Sequence, residues 1–261
     1  MAVIDLYDGN NVMRRAFEQK AQLPGQRPMS LRMRYEHAMA QPAGTQIWCW
    51  DGRDHNARRR EIYPQYKMNR SPTPEDIYAQ IRLWRDVAAH SPAIQFEVHG
   101  WEADDVIATL VRRFAAKGVH CRVHSNDMDY GQIAHLCTLN GVNMKGIDAK
   151  RIALYKAMCG DSSDNIDGIK GFGHGRWEKL EPHWDAIQAA IVAGDPAAFE
   201  PIPFTPAIKA WLTDQANVDL LQNMLLVTHF QNVPDDELDG GTRFGTPDRA
   251  AALALLEKFF L

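Results

Sequence analysis

The stretch GWEADDVIATLVRRFAAKGVHCRVHSNDMDYGQIA, Gly100 to Ala134, sets the architecture. Val106, Ile107, Leu110, Val111 and Phe114 recur at helical spacing behind an acidic opening of Glu102, Asp104 and Asp105. Carboxylates favour the positive end of a helix, and Gly118 marks its stop. His120 to His124 then reads as a strand that halts at Ser125, Asn126 and Asp127. A helix feeding a strand that ends in carboxylates is half of a parallel β/α unit. The same grammar extends outward. Val3 to Tyr7 ends at Asp8-Gly9-Asn10 before a helical segment from Val12 to Gln19, Thr45 to Trp50 ends at Asp51-Gly52, and Gln95 to His99 precedes Gly100. From Pro74, the residues Ile77, Ile81, Trp84, Val87 and Ala88 predict another helix. The expected fold class is α/β with a mostly parallel sheet. Past residue 148 strand signals give way to short helices between Gly-rich and Pro-rich turns. Pro201 to Pro206 reads as a linker, and Pro247 to Phe260 as a closing helix with Leu253, Leu256 and Phe260 on one face.

The chain has 261 residues, 45% hydrophobic and 24% charged, which excludes disorder and collagen-like structure. No apolar run approaches the ~18 to 20 residues of a membrane span, and Asp5 and Asp8 interrupt any leader at the start, so an intracellular protein without a membrane partner is expected. Cys49, Cys121, Cys137 and Cys159 are widely spaced and read as reduced thiols; the histidines form no metal-binding element. Net charge is −4, yet Arg53 to Arg70 carries a local +4 that includes Arg58, Arg59, Lys67 and Arg70.

Ligands of open parallel sheets bind at the carboxyl ends of the strands. There this sequence places Asp8, Asp51, Glu102, Asp104, Asp105, Asp127 and Asp129, with Asp161 and Asp164 following in GDSSDN. Two carboxylates 4 Å apart repel by about 4 kcal/mol at an effective dielectric of 20. A pocket of seven therefore calls for cations. Oxygen-only donors favour Mg²⁺ or Mn²⁺ over zinc, and so many suggest two ions or more, an arrangement suited to in-line phosphoryl chemistry. Lys67 and Arg70 could bring positive charge to a phosphate backbone. A second phosphate signal is the run Gly168, Gly171, Gly173 and Gly175 ahead of Trp177 and Leu180.

Four blocks in this order resemble the metal-dependent 5′ nucleases, or flap endonucleases: DGNNVMRRAFE; WDGRDHNARRREIYPQYKMNRSPTPEDIYAQI; GWEADDVIATL with NDMDYGQIA; and GDSSDNIDGIKGFG. The resemblance implies a PIN-like nuclease core over residues 1–147, with a helical arch near 63–98, and a helix-hairpin-helix-type (helix-3-turn-helix) duplex-binding subdomain with C-terminal helices over 148–261. It implies two-metal hydrolysis of DNA with 5′ ends, flaps or junctions, RNA–DNA hybrids as further substrates, a monomer, and a bacterial or phage source. The nine carboxylates match metal ligands, Lys67 and Arg70 a basic pair near the reacting phosphate, and Arg15 a basic residue near the substrate end. Gly171, Phe172 and Gly173, with His174, Gly175 and Arg176 beyond, match a hairpin that binds duplex backbone, in some members through K⁺ on main-chain oxygens. Gly175 stands where a basic residue is usual, with Arg176 one place later. A non-catalytic junction-binding module of the same fold is the alternative, and its expected mark is a missing carboxylate; a small-molecule phosphatase would need neither hairpin nor arch. At 261 residues no polymerase domain is expected.

Overall fold

The first strand, β1 (Ile4–Asp8), lies between β2 (Gln46–Trp50) and β4 (Cys121–His124), with Tyr7 opposite both Trp48 and His124. The computed structural model describes residues 3–20 and 26–260, side chains excepted at 17–20, 26–30 and 259–260. Phe260, expected on the apolar face of the last helix, is thus outside the described side chains. Among the described residues the sheet has six strands in the order β5-β4-β1-β2-β3-β6, where β3 is Ile94–Glu97, β5 is Thr138–Asn140 and β6 is Thr242–Phe244. Every pairing is parallel except that of β3 with β6.

All five residues of β2 are buried, as befits a central strand of a parallel sheet covered on both faces. The register stacks the Tyr7 ring between Trp48, centroids 4.4 Å apart, and His124, 4.2 Å. Trp84, fully buried on the helix Glu75–Ala89, meets Trp48 edge-on at 5.2 Å. Met13, Leu31, Tyr35, Ile81, Val87, Ala252 and Leu256 belong to the same cluster. The helix Ala103–Ala116 packs against β1, β2 and β4 and buries Val106, Ile107 and Val111.

Two compact units emerge. The first comprises the chain up to His55, Pro72–Asn143 and the part from Gln231 onward; the second comprises Asn56–Ser71 and Met144–Phe230. The division differs from one at 147/148 for a physical reason at each exchange. Arg59, in the helix Ala57–Ile62, donates to the carbonyls of Val227 (2.9 Å) and His229 (3.3 Å), which ties its segment to the second unit. The closing helix Arg249–Phe260 buries Ala252 and Leu256 in the first-unit core. Between 63 and 98, where an arch is expected, the chain forms turns to Asn69 and then the core helix Glu75–Ala89. Pro201 to Pro206 is packed and is not a linker, for Ile202 and Phe204 are buried. β5 and β6 carry no sequence signal of their own, because three residues are too few for alternation to tell a strand from a loop. No described helix is long and apolar enough to cross a membrane.

Replacing Trp84 with Ala should lower unfolding stability by about 3–5 kcal/mol, measured by urea denaturation, since it empties the centre of the first-unit core. A loss below about 1 kcal/mol would contradict that packing.

Candidate metal centre

Asp8 ends β1 and Asp51 follows β2, and close backbone packing lets the two loops crowd together. A Cβ on Gly9 would lie 2.4 Å from the Trp50 ring, and one on Gly52 would lie 1.8 Å from the Val98 carbonyl oxygen, so glycine is needed at both. Asp8 is 8% exposed. Its Oδ2 accepts from Tyr130 Oη (3.1 Å) and Ser125 Oγ (3.2 Å), and its Oδ1 from the Asn11 amide (3.1 Å). Burial, reinforced by the negative charges of Asp51 and Asp127, nevertheless raises its pKa to about 7.

Asp51 is oriented from two sides: Asn10 Nδ2 donates to Oδ2 at 2.8 Å, and the Ala103 amide donates to Oδ1 at 2.9 Å. That second bond fixes the N-terminus of the helix Ala103–Ala116 beside the strand ends. There Glu102, Asp104 and Asp105 each bring an oxygen within 4.8 Å of the others. Asp105 is almost wholly buried, and its Oδ1 accepts the Gln231 amide at 2.8 Å. Asp127 caps the turn after β4 by accepting the Asp129 amide at 3.0 Å, while its own amide donates to Ser125 Oγ at 3.2 Å. Among the described residues no lysine or arginine pairs with Asp8, Asp51 or Asp127. Around these three the crowding has no cationic partner among the described residues, whereas Arg112 acts on Asp105, and an oxygen-only donor set of this charge fits divalent hard ions.

Asp161 and Asp164 belong to the second unit and have cationic neighbours there. Lys156 Nζ lies 2.7 Å from Asp161 Oδ2. Burial acts to raise the Asp161 pKa, but Lys156 and Ser163 outweigh it and hold the carboxyl below its usual range. Asp164 receives Arg70 at 2.7 Å, Lys67 at 3.8 Å and the Tyr66 hydroxyl at 3.3 Å. Lys67 is buried and takes φ +53°, its amide donating to the Asp164 carbonyl at 2.9 Å. Arg70 Nε and Asn69 Nδ2 bind the carbonyls of Ser163 (3.0 Å) and Ser162 (2.9 Å).

The proposed nucleic-acid contacts divide. Arg58 is exposed and Arg15 half-buried. Arg59, expected on the binding surface, is instead 4% exposed with its guanidinium spent on main-chain carbonyls. Phe172 is likewise buried and packs edge-on against Phe204 at 6.2 Å, leaving backbone as what the turn can offer. Gly171 adopts φ +77°, which favours glycine, and Gly173 precedes the helix His174–Lys179. His174 is half-exposed, 3.4 Å from Glu178, and Gly175 is exposed. The Gly171 carbonyl accepts a hydrogen bond from Arg176.

Sequence reasoning missed Asn10, Ser125 and Tyr130, which orient the carboxylates, and Lys156 and Tyr66, which neutralise or bond those of the second unit. Adjacency to an acidic residue was the available signal for the first three. Lys156, five places before Asp161, had none.

The strand-end carboxylates sit on a mixed, mostly parallel sheet, which makes this an α/β domain with an acidic site at its strand ends. Residues 4–156 match the family described as 5′-3′ exonuclease, N-terminal resolvase-like domain, and the chain belongs to it. Thermostable DNA polymerase I of Thermus thermophilus is 34% identical over 142 residues, which make up 50% of this chain and 17% of that one. The 5′-3′ exonuclease of Aquifex aeolicus is 29% identical over 154 residues, covering 50% of this chain and 53% of its own. The chain thus spans a small part of the polymerases it matches and about half of that exonuclease. The fold is that of the zinc-bound T5 5′-exonuclease, with a TM-score of 0.62 at 20% identity over 98% of this chain and 96% of that one.

The Asp8 pKa of about 7 in the folded chain stands above its ordinary 3.8, so the native state holds a proton that the unfolded state releases. Stability contributed by this group is present below about pH 4 and is lost as pH rises to about 7. In chelator, the change of melting temperature with pH across that window should be flatter in Asp8→Asn than in the parent; an identical slope would contradict the crowding. Arg59→Ala should cost about 1–3 kcal/mol of stability by stranding buried acceptors, while the DNA affinity of folded protein, measured at equal folded fraction, stays unchanged.

Proposed function

We propose that this chain is a divalent-metal-dependent 5′ nuclease, acting as 5′-3′ exonuclease and flap endonuclease. It hydrolyses DNA phosphodiesters at or near 5′ ends and single-strand/duplex junctions to leave 5′-phosphate and 3′-hydroxyl products. The observation that carries the reading is the buried Asp8 facing Asp51 and Asp127 with no basic partner among the described residues. Family membership and the presence of all nine carboxylates support catalysis over a non-catalytic binding role.

Asp8, Asp51, Glu102, Asp104, Asp105, Asp127 and Asp129 would hold Mg²⁺ or Mn²⁺. Bound there, the metal would activate water and stabilise charge on the scissile phosphate and the leaving oxygen. Tyr130, Ser125 and Asn10 hold the Asp8 and Asp51 oxygens in place, so that little reorganisation is needed when an ion enters. Asp161 and Asp164 would offer metal ligands within the second unit itself. For Arg70 and Lys67 to reach a phosphate they exchange their contact with Asp164, which frees that carboxylate for a cation. The exposed Arg58 and the Gly171 to Gly175 backbone serve duplex binding, and an RNA–DNA hybrid is a further candidate substrate.

A 5′-labelled flap, a nicked duplex, a closed circle and an RNA–DNA hybrid, each assayed with Mg²⁺ and with chelator, test the reading. Asp127→Asn should abolish flap cleavage yet leave DNA binding within a few-fold, because it removes a metal contact and no phosphate contact; retained cleavage would sink the assignment. Lys67→Ala should lower turnover by about 10²-fold. Affinity should fall steeply with salt as counterions are released from several phosphates, and a salt-insensitive Kd would count against duplex contacts.

A further inference from the structure

In the first unit a cleft of about 340 Å³ opens where β6 pairs with β3 beside the helix Glu75–Ala89. None of its lining residues belongs to the carboxylate cluster, and its volume lies within the ~300–1,000 Å³ of small-ligand sites. Three arginines line it, Arg82, Arg85 and Arg243. Glu97 serves two of them at once, hydrogen-bonded to Arg85 and 3.6 Å from Arg243. One carboxylate thus divides between two cations whose planar heads carry five N–H donors each. Arg82 pairs with Glu75 and is more than half exposed.

The cleft also offers aromatic surface. The Arg85 guanidinium lies over the Trp50 ring, 5.6 Å from its centroid, and Phe244 is 77% exposed. Asp86 lines the cleft as well, exposed and without an ion pair among the described residues. A bare polyanion would be repelled by Asp86, and an apolar molecule would desolvate the guanidiniums without compensation. The fitting ligand combines an anion, a flat ring and a hydrogen-bond donor.

We propose that this cleft binds a nucleoside 5′-monophosphate, either free or at the end of a strand. The phosphate meets Arg243 and Arg82, the base lies on Phe244, and a sugar hydroxyl or exocyclic amine donates to Asp86. Binding here uses no metal ligand and is independent of the nuclease reaction.

Isothermal titration in chelator, with dAMP as the probe, tests this. The parent protein should bind dAMP at submillimolar Kd, and inorganic phosphate and deoxyadenosine at least tenfold more weakly. Arg243→Ala and Phe244→Ala should each weaken dAMP at least tenfold with an unchanged melting temperature, since both side chains are exposed; Asp127→Asn should bind as the parent does. A 5′-phosphorylated trinucleotide separates the two sources. Binding of it that equals dAMP and weakens in the same two variants identifies a strand end, and binding of dAMP alone identifies the free nucleotide. Absence of dAMP binding, equal affinity for inorganic phosphate, loss of binding in Asp127→Asn, or unchanged affinity in Arg243→Ala and Phe244→Ala overturns the proposal.

Discussion

Mutual repulsion of carboxylates at the strand ends is the constraint around which the first unit is built. Asp8, Asp51 and Asp127 come from three strands that parallel pairing forces side by side, and β4-β1-β2 is the centre of the sheet. Nothing in a hydrophobic core requires that their charges meet. Where they do meet, the fold spends hydrogen bonds from Tyr130, Ser125, Asn10 and the Ala103 amide to hold them, and Asp8 still remains hard to ionise. Such an arrangement is a poor design for stability and a good one for binding cations, because an entering ion relieves repulsion that folding has already built in.

The second unit handles its acidic residues in the opposite way. Asp161 and Asp164 are matched by Lys156, Lys67 and Arg70, and the segment from Gln65 to Arg70 is laced to the GDSSDN loop through main-chain carbonyls. Arg59 shows the other use of a basic residue in this segment. Its neighbours in sequence are exposed or half-buried, whereas its own guanidinium closes main-chain acceptors in the interior. A run of like charges therefore contains both surface and scaffold, and burial sorts them.

The sheet's centre and the identity of the acidic residues were legible in the sequence, because each rests on a local cause. Trp48 and Trp50, Val106 and Ile107, and the turns at Asp8, Asp51 and Asp127 announce their positions through periodicity and turn chemistry within a few residues. Tertiary structure alone decided which basic residue answers which acid, that Ile202 and Phe204 are packed rather than strung along a linker, that the helix Arg249–Phe260 returns to the first-unit core, and that Arg176 covers the Gly171 carbonyl. These depend on partners tens to hundreds of residues away or on the fold of a turn, and a side chain's contacts across such separations are set by packing and desolvation, which no local pattern encodes.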